Sequence, residues 1–503
     1  MSDNVKIKQL ATGVPGLDAV LGGGLPEYSF NLIAGSPGSG KTTLAHQIMF
    51  ALATPQRRAI YFTVLGEPPL KMLRHQQQFP HFDAAQIGHC VHFVSLSDEI
   101  AEGDLDQVLH RIVCELEAQS PGLIFVDSFR AVLLAAQSVE RGGSGPSTHL
   151  AHFVQKLGML LSTWQATTFL IGEYGDVCDD NPVYTVVDGL IWLTQSVQRN
   201  SMVRKMQIIK MRGQASLPGL HTFRIGDSGA CVFPPARVAP QQEGEANTVP
   251  KGSRLAMGVP GLDEMLGGGL PRGYSLLVAG PSGSGKSILA AGFLAEGVRN
   301  GETGVIACFE QRPSQSRNRT LAHLIDSGQV SLVDSRAPDL SIDEILMLLI
   351  TEIQRTNATR VVIDSLSGFE LAIAPTFRED FRESMARMVT ALSALGVTVL
   401  MTSELEDRYT DLRFSPYGTA FMTDAIIVQR YVEVDGRLLR VLAVVKVRAS
   451  AHSDALHQFS INEEGIHIGE PLLNQEGILG GRPTHKILAA QPAPATGGAH
   501  GSP

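Results

Sequence analysis

Two octapeptides combine glycines, a lysine and a hydroxyl in the same order. They are Gly35-Ser36-Pro37-Gly38-Ser39-Gly40-Lys41-Thr42 and Gly280-Pro281-Ser282-Gly283-Ser284-Gly285-Lys286-Ser287. Both fit the phosphate-binding pattern G-x-x-x-x-G-K-[ST]. The glycines let the backbone turn tightly and aim consecutive N–H groups at one anion. Lys41 and Lys286 place a point charge beside the terminal phosphates, and Thr42 and Ser287 offer a hydroxyl to Mg²⁺. Thr43 and Ile288 continue each loop into a helix whose positive dipole end faces the same anion. The chemistry expected is binding of ATP with Mg²⁺, twice in one chain.

Phosphoryl transfer also needs an acid to organise the metal and a group to orient water. Asp127 closes the apolar run Leu123-Ile124-Phe125-Val126, and Asp364 closes Val361-Val362-Ile363. That places each carboxylate at the C-terminal rim of a strand, where ligands bind in open α/β sheets. Each is followed by a serine, Ser128 or Ser365, so a simple turn cap is the competing reading. For water, the candidates are Glu67 in Leu65-Gly66-Glu67-Pro68 and Glu310 in Phe309-Glu310-Gln311. Either could instead be a surface acid favoured at a helix start.

The elements that must position these groups come as a repeat. Gly13-Val14-Pro15-Gly16-Leu17-Asp18 recurs at 258–263, and Leu21-Gly22-Gly23-Gly24-Leu25-Pro26 recurs at 266–271. Both blocks and the glycine loop are displaced by the same 245 positions, so the chain is a tandem duplication. In the first copy, strands are expected over 29–34, 59–65, 92–96, 122–127 and 168–171, with helices near 41–53, 68–79, 105–116 and 148–165. Continuous apolar strands alternating with helices predict an α/β fold with a mainly parallel sheet. Segments 191–198 and 202–211 predict an antiparallel pair, and 221–233 a hairpin turning at Asp227-Ser228-Gly229. The second copy repeats the order. The expected division is a first domain over 1–233, a linker over 234–253, a second domain over 254–487 and a disordered tail over 488–503.

Composition narrows the setting. A net charge of −9 argues against a dedicated nucleic-acid coat. The five cysteines form no C-x-x-C pair, which removes zinc and disulfide frameworks from consideration. Met1-Ser2-Asp3-Asn4 has neither the basic nor the apolar region of a secretion signal, and no apolar run is long enough for a membrane span. A cytoplasmic protein is expected.

The double loop, the Gly-Val-Pro-Gly-Leu-Asp entry, the Val126-Asp127-Ser128 and Ile363-Asp364-Ser365 strand ends, and Lys210-Met211-Arg212-Gly213 together resemble the KaiC family. Its members are duplicated RecA-like ATPases known from circadian clocks, and the likeness runs from about residue 11 to 487. The resemblance implies two stacked rings of six subunits with ATP at each subunit boundary. It implies that Lys210 and Arg212, and Lys446 and Arg448, reach the γ-phosphate of the neighbouring subunit. Cations supplied this way would neutralise charge on the transferred group. On the residues alone, an exposed basic strand face is the other reading.

Four departures from the family pattern bear on activity. The family has two adjacent glutamates after the second strand, whereas this chain has Glu310-Gln311 in one copy and Leu65-Gly66-Glu67 in the other. Ala420 and Phe421 stand where the family phosphorylates a Ser–Thr pair, so autokinase activity at that pair is excluded. Ser415, Thr419 and Thr423 remain as nearby hydroxyls. Beyond Gly481-Arg482-Pro483-Thr484 an Ala/Pro/Gly tail replaces the family's charged helical extension. The leading expectation is an ATP-hydrolysing, self-associating switch or scaffold that acts on an unknown signalling partner. A DNA-recombination or loader motor is the first alternative. It would use loops at 139–145 and 406–409, whose mixed charges make DNA an unfavoured partner. The second is an ATP-binding signalling protein with little turnover.

Overall fold

Phe30–Gly35 (β1) is an uncharged run, buried along its whole length, that feeds straight into the first glycine loop. Lys41–Leu52 follows as the loop's helix. The other strands of the same nine-stranded sheet are Ala59–Thr63 (β2), Val91–Ser95 (β3), Leu123–Asp127 (β4), Thr167–Glu173 (β5), Gly189–Gln198 (β6), Ser201–Met211 (β7), Leu220–Gly226 (β8) and Gly229–Phe233 (β9). The computed structural model describes residues 7–64, 69–101, 105–130, 132, 146–175, 182–198, 201–235, 253–309, 319–333, 339–373, 375–378, 380–405, 422–434, 436–463, 465–472, 475–476 and 484–485. Most of the expected linker and all of the expected tail lie outside them. The chain divides into a first unit of Met1–Ala236 with Ala374–Thr376, and a second of Arg237–Ile373 and Phe377–Pro503.

The first unit's sheet runs β3-β2-β4-β5-β1-β6-β7-β8-β9. Strands β1 to β6 pair in parallel, and β7, β8 and β9 extend the sheet antiparallel. Side chains alternate between two buried faces, which is why the parallel strands read as unbroken apolar runs. Ile33, Tyr61, Phe125, Phe169 and Ile171 meet Leu44 and Ile48 of the loop helix on one face. Leu32, Ile60, Phe62, Ile124, Val126 and Leu170 meet Phe153 and Leu157 on the other.

The second unit repeats this with Ser275–Gly280 (β10), Gly304–Cys308 (β11), Val330–Val333 (β12), Arg360–Asp364 (β13), Thr398–Glu404 (β14), Ala425–Val434 (β15), Arg437–Val447 (β16), His457–Asn462 (β17) and Gly465–Pro471 (β18). The order β12-β11-β13-β14-β10-β15-β16-β17-β18 matches the first sheet strand for strand. The expected fold class, α/β with a mainly parallel sheet and antiparallel C-terminal strands, holds in both halves. The strands run one to three residues beyond several of the sequence-based bounds, since ladder hydrogen bonds continue past the apolar stretch.

One core position is solved differently in the two units. Leu123, fully buried, pairs with Ala59, and at the same register of the second sheet Arg360 pairs with Gly304. Arg360 is only 1% exposed. Its guanidinium donates to Glu302 Oε2 at 2.5 Å and to the carbonyls of Ala256 at 2.9 Å and Phe293 at 2.8 Å. It also lies over the Phe293 ring, 4.6 Å from the centroid. A buried cation is tolerated here because a carboxylate, two carbonyls and a ring surround it.

Candidate functional site

Each glycine loop closes the C-terminal end of its unit's central strand, β1 or β10, and opens a helix capped by a glycine in the left-handed region. Gly40 has φ 102° and Gly285 φ 107°. A Cβ at Gly40 would stand 2.3 Å from Ile225 Cδ1, and one at Gly285 2.7 Å from Ile461 Cδ1. Both conformation and close packing require glycine at the turn. Lys41, 6% exposed, folds back and donates to the carbonyls of Gly35 at 3.1 Å and Ser36 at 2.8 Å. Lys286 makes the same pair of bonds, to Gly280 at 2.9 Å and Pro281 at 2.8 Å. Ser39 and Ser284 are buried beneath the loops, whereas Pro37, Gly38, Ser282, Gly283 and Ser287 face solvent and Ser36, Thr43 and Ile288 are half-buried.

The acids come to the loops as their strand position requires. Asp127 Oδ2 accepts from Thr42 Oγ1 at 2.8 Å and from the phenol of Tyr61 at 2.7 Å. Burial pushes the Asp127 carboxyl above its ordinary value, against the opposing pull of Tyr61, Thr42 and Lys41. Burial lowers the Lys41 ammonium, which Glu173 and Asp127 partly offset. Burial also holds the Tyr61 phenol well above its usual value, so it donates rather than accepts. In the second unit Asp364 Oδ1 accepts from Thr402 Oγ1 at 2.5 Å. Cys308, paired with Asp364 across the sheet, has its thiol pushed up to about 12, chiefly by burial. Both aspartates are joined to the following serine by a cis peptide bond. The turn-cap reading fails for Asp364, because Ser365 is the residue that caps Leu366–Ala372, accepting from Gly368 N.

A cavity of ≈ 500 Å³ opens over the first loop, lined by Gly38, Lys41, Thr42, Asp127, Glu173 and Arg204 among others. Its polar lining fits a phosphate–metal group. There are backbone turns and cations for the anion, and the oxygen donors Thr42 and Asp127 suit a hard cation. Glu173 and Arg204 were not anticipated from sequence. Glu173 ends β5, 3.9 Å from Lys41, and Glu404 ends the corresponding β14. Arg204 has a repeat signal that sequence inspection can find. It lies six residues before Lys210, as Arg440 does before Lys446. The Nε of each is buried with no hydrogen-bond partner among the described residues. Arg204 pairs across strands with Gln195 and Arg440 with Tyr431.

The Lys–x–Arg pairs lie elsewhere. Leu190 pairs with Lys210 and Ile426 with Lys446, each beside a β-bulge at the base of the antiparallel hairpin. This is the end of the sheet where β1 and β10 begin, opposite the loops. Arg212 donates to Asp188 Oδ1 and Arg448 to Asp424 Oδ1, both at 3.2 Å. Each aspartate in turn accepts from the first residue of the central strand, Phe30 N at 3.1 Å or Ser275 N at 3.0 Å. Lys210 donates to the carbonyls of Tyr184 and Thr185, and Lys446 to that of Thr423. Desolvation lowers both ammoniums.

Glu67, Glu310, Gln311, Ala420, Phe421, Ser415, Thr419 and the two loops weighed for DNA lie outside the described residues. Thr423 is corrected: it is fully buried at the foot of β15, so its hydroxyl is closed to phosphorylation in this fold. Cys90, Cys114, Cys231 and Cys308 are free thiols. Among the described residues no helix is long and apolar enough to cross a membrane.

His46, on the first loop's helix, packs its ring 4.6 Å from that of Tyr61. Gln76 faces it without reaching hydrogen-bonding geometry, and neither ring nitrogen has a partner among the described residues. Burial lowers its pKa to about 3. The unfolded chain takes up this proton near pH 6.5 and the folded one does not. The neutral-histidine stability is therefore complete above pH 6.5 and lost as pH falls towards 3. At pH 5 the expected loss is about 2 kcal/mol. Thermal melts of the wild type against His46→Phe from pH 7 to 5 check this: the wild type should lose more of its melting temperature on acidification, and equal slopes would refute it.

Fold and site define a class: a tandem P-loop protein built from two RecA-like α/β units, each with a loop lysine, an acid closing a neighbouring strand and a far-end basic pair. The family model described as "ATPase: KaiC" matches residues 10–237 and 255–472, and the chain belongs to that family of duplicated ATPases. Among curated relatives it is 28% identical over 496 residues to "Circadian clock protein KaiC3" of Synechocystis sp., covering 95% of each chain. It is 26% identical over 494 residues to "Circadian clock oscillator protein KaiC" of Rippkaea orientalis, covering 95% of this chain and 92% of that one. The protein of that name in Prochlorococcus marinus is 25% identical over 499 residues, 97% of each.

Proposed function

We propose that the protein binds and hydrolyses ATP with Mg²⁺ in both units, as a double hexamer whose nucleotides lie at subunit boundaries, and acts as a nucleotide-dependent switch or scaffold for a signalling partner. The observation that carries this is the placement of Lys210 and Arg212, and of Lys446 and Arg448, at the end of the sheet opposite their own loops. The pairs cannot serve the phosphates of their own unit, and a boundary with a neighbour gives them a use. Lys41 and Lys286 would turn from their loop carbonyls to the β- and γ-phosphates. Thr42 with Asp127, and Ser287 with Asp364, would hold the metal, which when bound draws charge off the phosphate oxygens. Arg204 and Arg440 would add positive charge from the same unit. Glu67 and Glu310 would orient water. The two domains are proposed to span 1–233 and 254–487.

Self-phosphorylation is the weaker use of this chemistry, because Ala420 and Phe421 lack hydroxyls and Thr423 is buried. The test pairs ATP turnover with oligomer size, with and without nucleotide. Turnover together with ATP-dependent hexamers is expected. A nucleotide-bound hexamer without turnover would leave a binding protein in its place, and turnover by a monomer would overturn the boundary site.

A further inference from the structure

The two metal-organising acids are steadied by hydroxyls from opposite neighbouring strands. In the first unit the donor is Tyr61 of β2, bonded to Asp127 Oδ2 at 2.7 Å. On the other side of Asp127, its β5 neighbour is Ile171, fully buried. The second unit reverses this arrangement. Its β11 residue at the Tyr61 register is Ile306, also fully buried, and Thr402 of β14 bonds Asp364 Oδ1 at 2.5 Å. Each acid accepts a hydroxyl from one flanking strand, with sides exchanged, and isoleucine stands at the equivalent position of the other strand.

Tyr61 is held rigidly. Its ring lies 4.6 Å from His46, 5.4 Å from Phe93 and 5.8 Å from Phe125, and the residue is fully buried. A carboxylate has about four lone-pair sites. Two hydroxyls on Asp127 Oδ2 occupy two of them and restrain the rotamer, which leaves lone pairs of the carboxylate for a metal shell. Partners of this kind orient metal-organising groups and strengthen metal binding.

We propose that Tyr61 and Thr402 are equivalent positioning residues, each aligning its unit's metal-organising aspartate through a hydroxyl delivered from opposite sides of the strand. This rests on the assignment of Asp127 and Asp364 to Mg²⁺.

The test uses the full chain with one site disabled at a time, Lys286→Ala to isolate the first and Lys41→Ala to isolate the second. Binding of a fluorescent ATP analogue is titrated with Mg²⁺. Tyr61→Phe, which removes only the hydroxyl, should raise the Mg²⁺ needed for half-maximal effect about tenfold at the first site. Binding without Mg²⁺ should not change. Thr402→Val should do the same at the second site. Adding Ile171→Thr to Tyr61→Phe should restore the first site by supplying the hydroxyl from β5, as the second unit does. An unchanged Mg²⁺ dependence in Tyr61→Phe, or a failure of Ile171→Thr to restore it in a variant that melts like the wild type, would overturn the proposal. Asp127→Asn separates the two layers: if it leaves Mg²⁺ dependence intact, the metal assignment itself falls.

Discussion

Replacing Lys41 and Lys286 together by alanine is expected to abolish ATP turnover and to weaken nucleotide binding by at least roughly a hundredfold, about 3 kcal/mol. The expected loss exceeds that of an ordinary surface charge for two reasons. Lys41 is almost buried, so its field is poorly screened, and it stands 3.9 Å from Glu173, which together with Asp127 offsets part of the burial that lowers its pKa. Without the ammonium, those two carboxylates remain at the mouth of the cavity and repel the incoming phosphates. Single variants should each leave one competent unit. Fluorescent-nucleotide titration and steady-state turnover measure both effects, and circular dichroism checks that the fold persists. Near-normal affinity in the double variant would remove the loops from the mechanism.

Replacing Arg212 and Arg448 by alanine should lower turnover about a thousandfold, the scale of a transition-state cation supplied by a neighbour. The competing view is that each arginine simply staples its aspartate, since Arg212 bonds Asp188 and Arg448 bonds Asp424. Those pairs are half exposed, so the staple alone contributes no more than about 1 kcal/mol. Mixing decides the matter. The lysine double variant has live cations and dead loops, and the arginine double variant the reverse. Co-assembled, they should regain turnover that neither has alone, because wherever the lysine variant offers its cation to the arginine variant's loop, a live loop meets a live cation. If mixing restores nothing while Asp188→Asn with Asp424→Asn reproduces the arginine defect, the arginines are structural.

The loops and their acids were legible because their chemistry is local: eight consecutive residues make each cradle, and one aspartate ends each apolar strand. The sheet was legible because a parallel strand buried on both faces is apolar along most of its length. Lys210 and Arg212 looked only like a basic strand until the resemblance gave them a use, since their distance from their own loop is set by strand pairing. Tyr61 gave no signal. An aromatic residue within Ala59–Thr63 reads as core, and its ring is core; only the hydroxyl reaches Asp127. Arg360 was hidden the other way, a charge at the head of a buried strand whose partners come from Ala256, Phe293 and Glu302. The bulges before Lys210 and Lys446 leave no composition mark at all.

Phe30–Gly35 carries the glycine loop at one end, while the backbone N–H at its other end is held by Asp188, the residue that also holds Arg212. Ser275–Gly280, Asp424 and Arg448 repeat the arrangement. Five strand steps, roughly 17 Å, separate the two ends. In the proposed ring, one short rod would thus link the place where a subunit receives a cation to the place from which it offers one. A ring assembled from such subunits has a sense of rotation, because every member is read by one neighbour and reads the other.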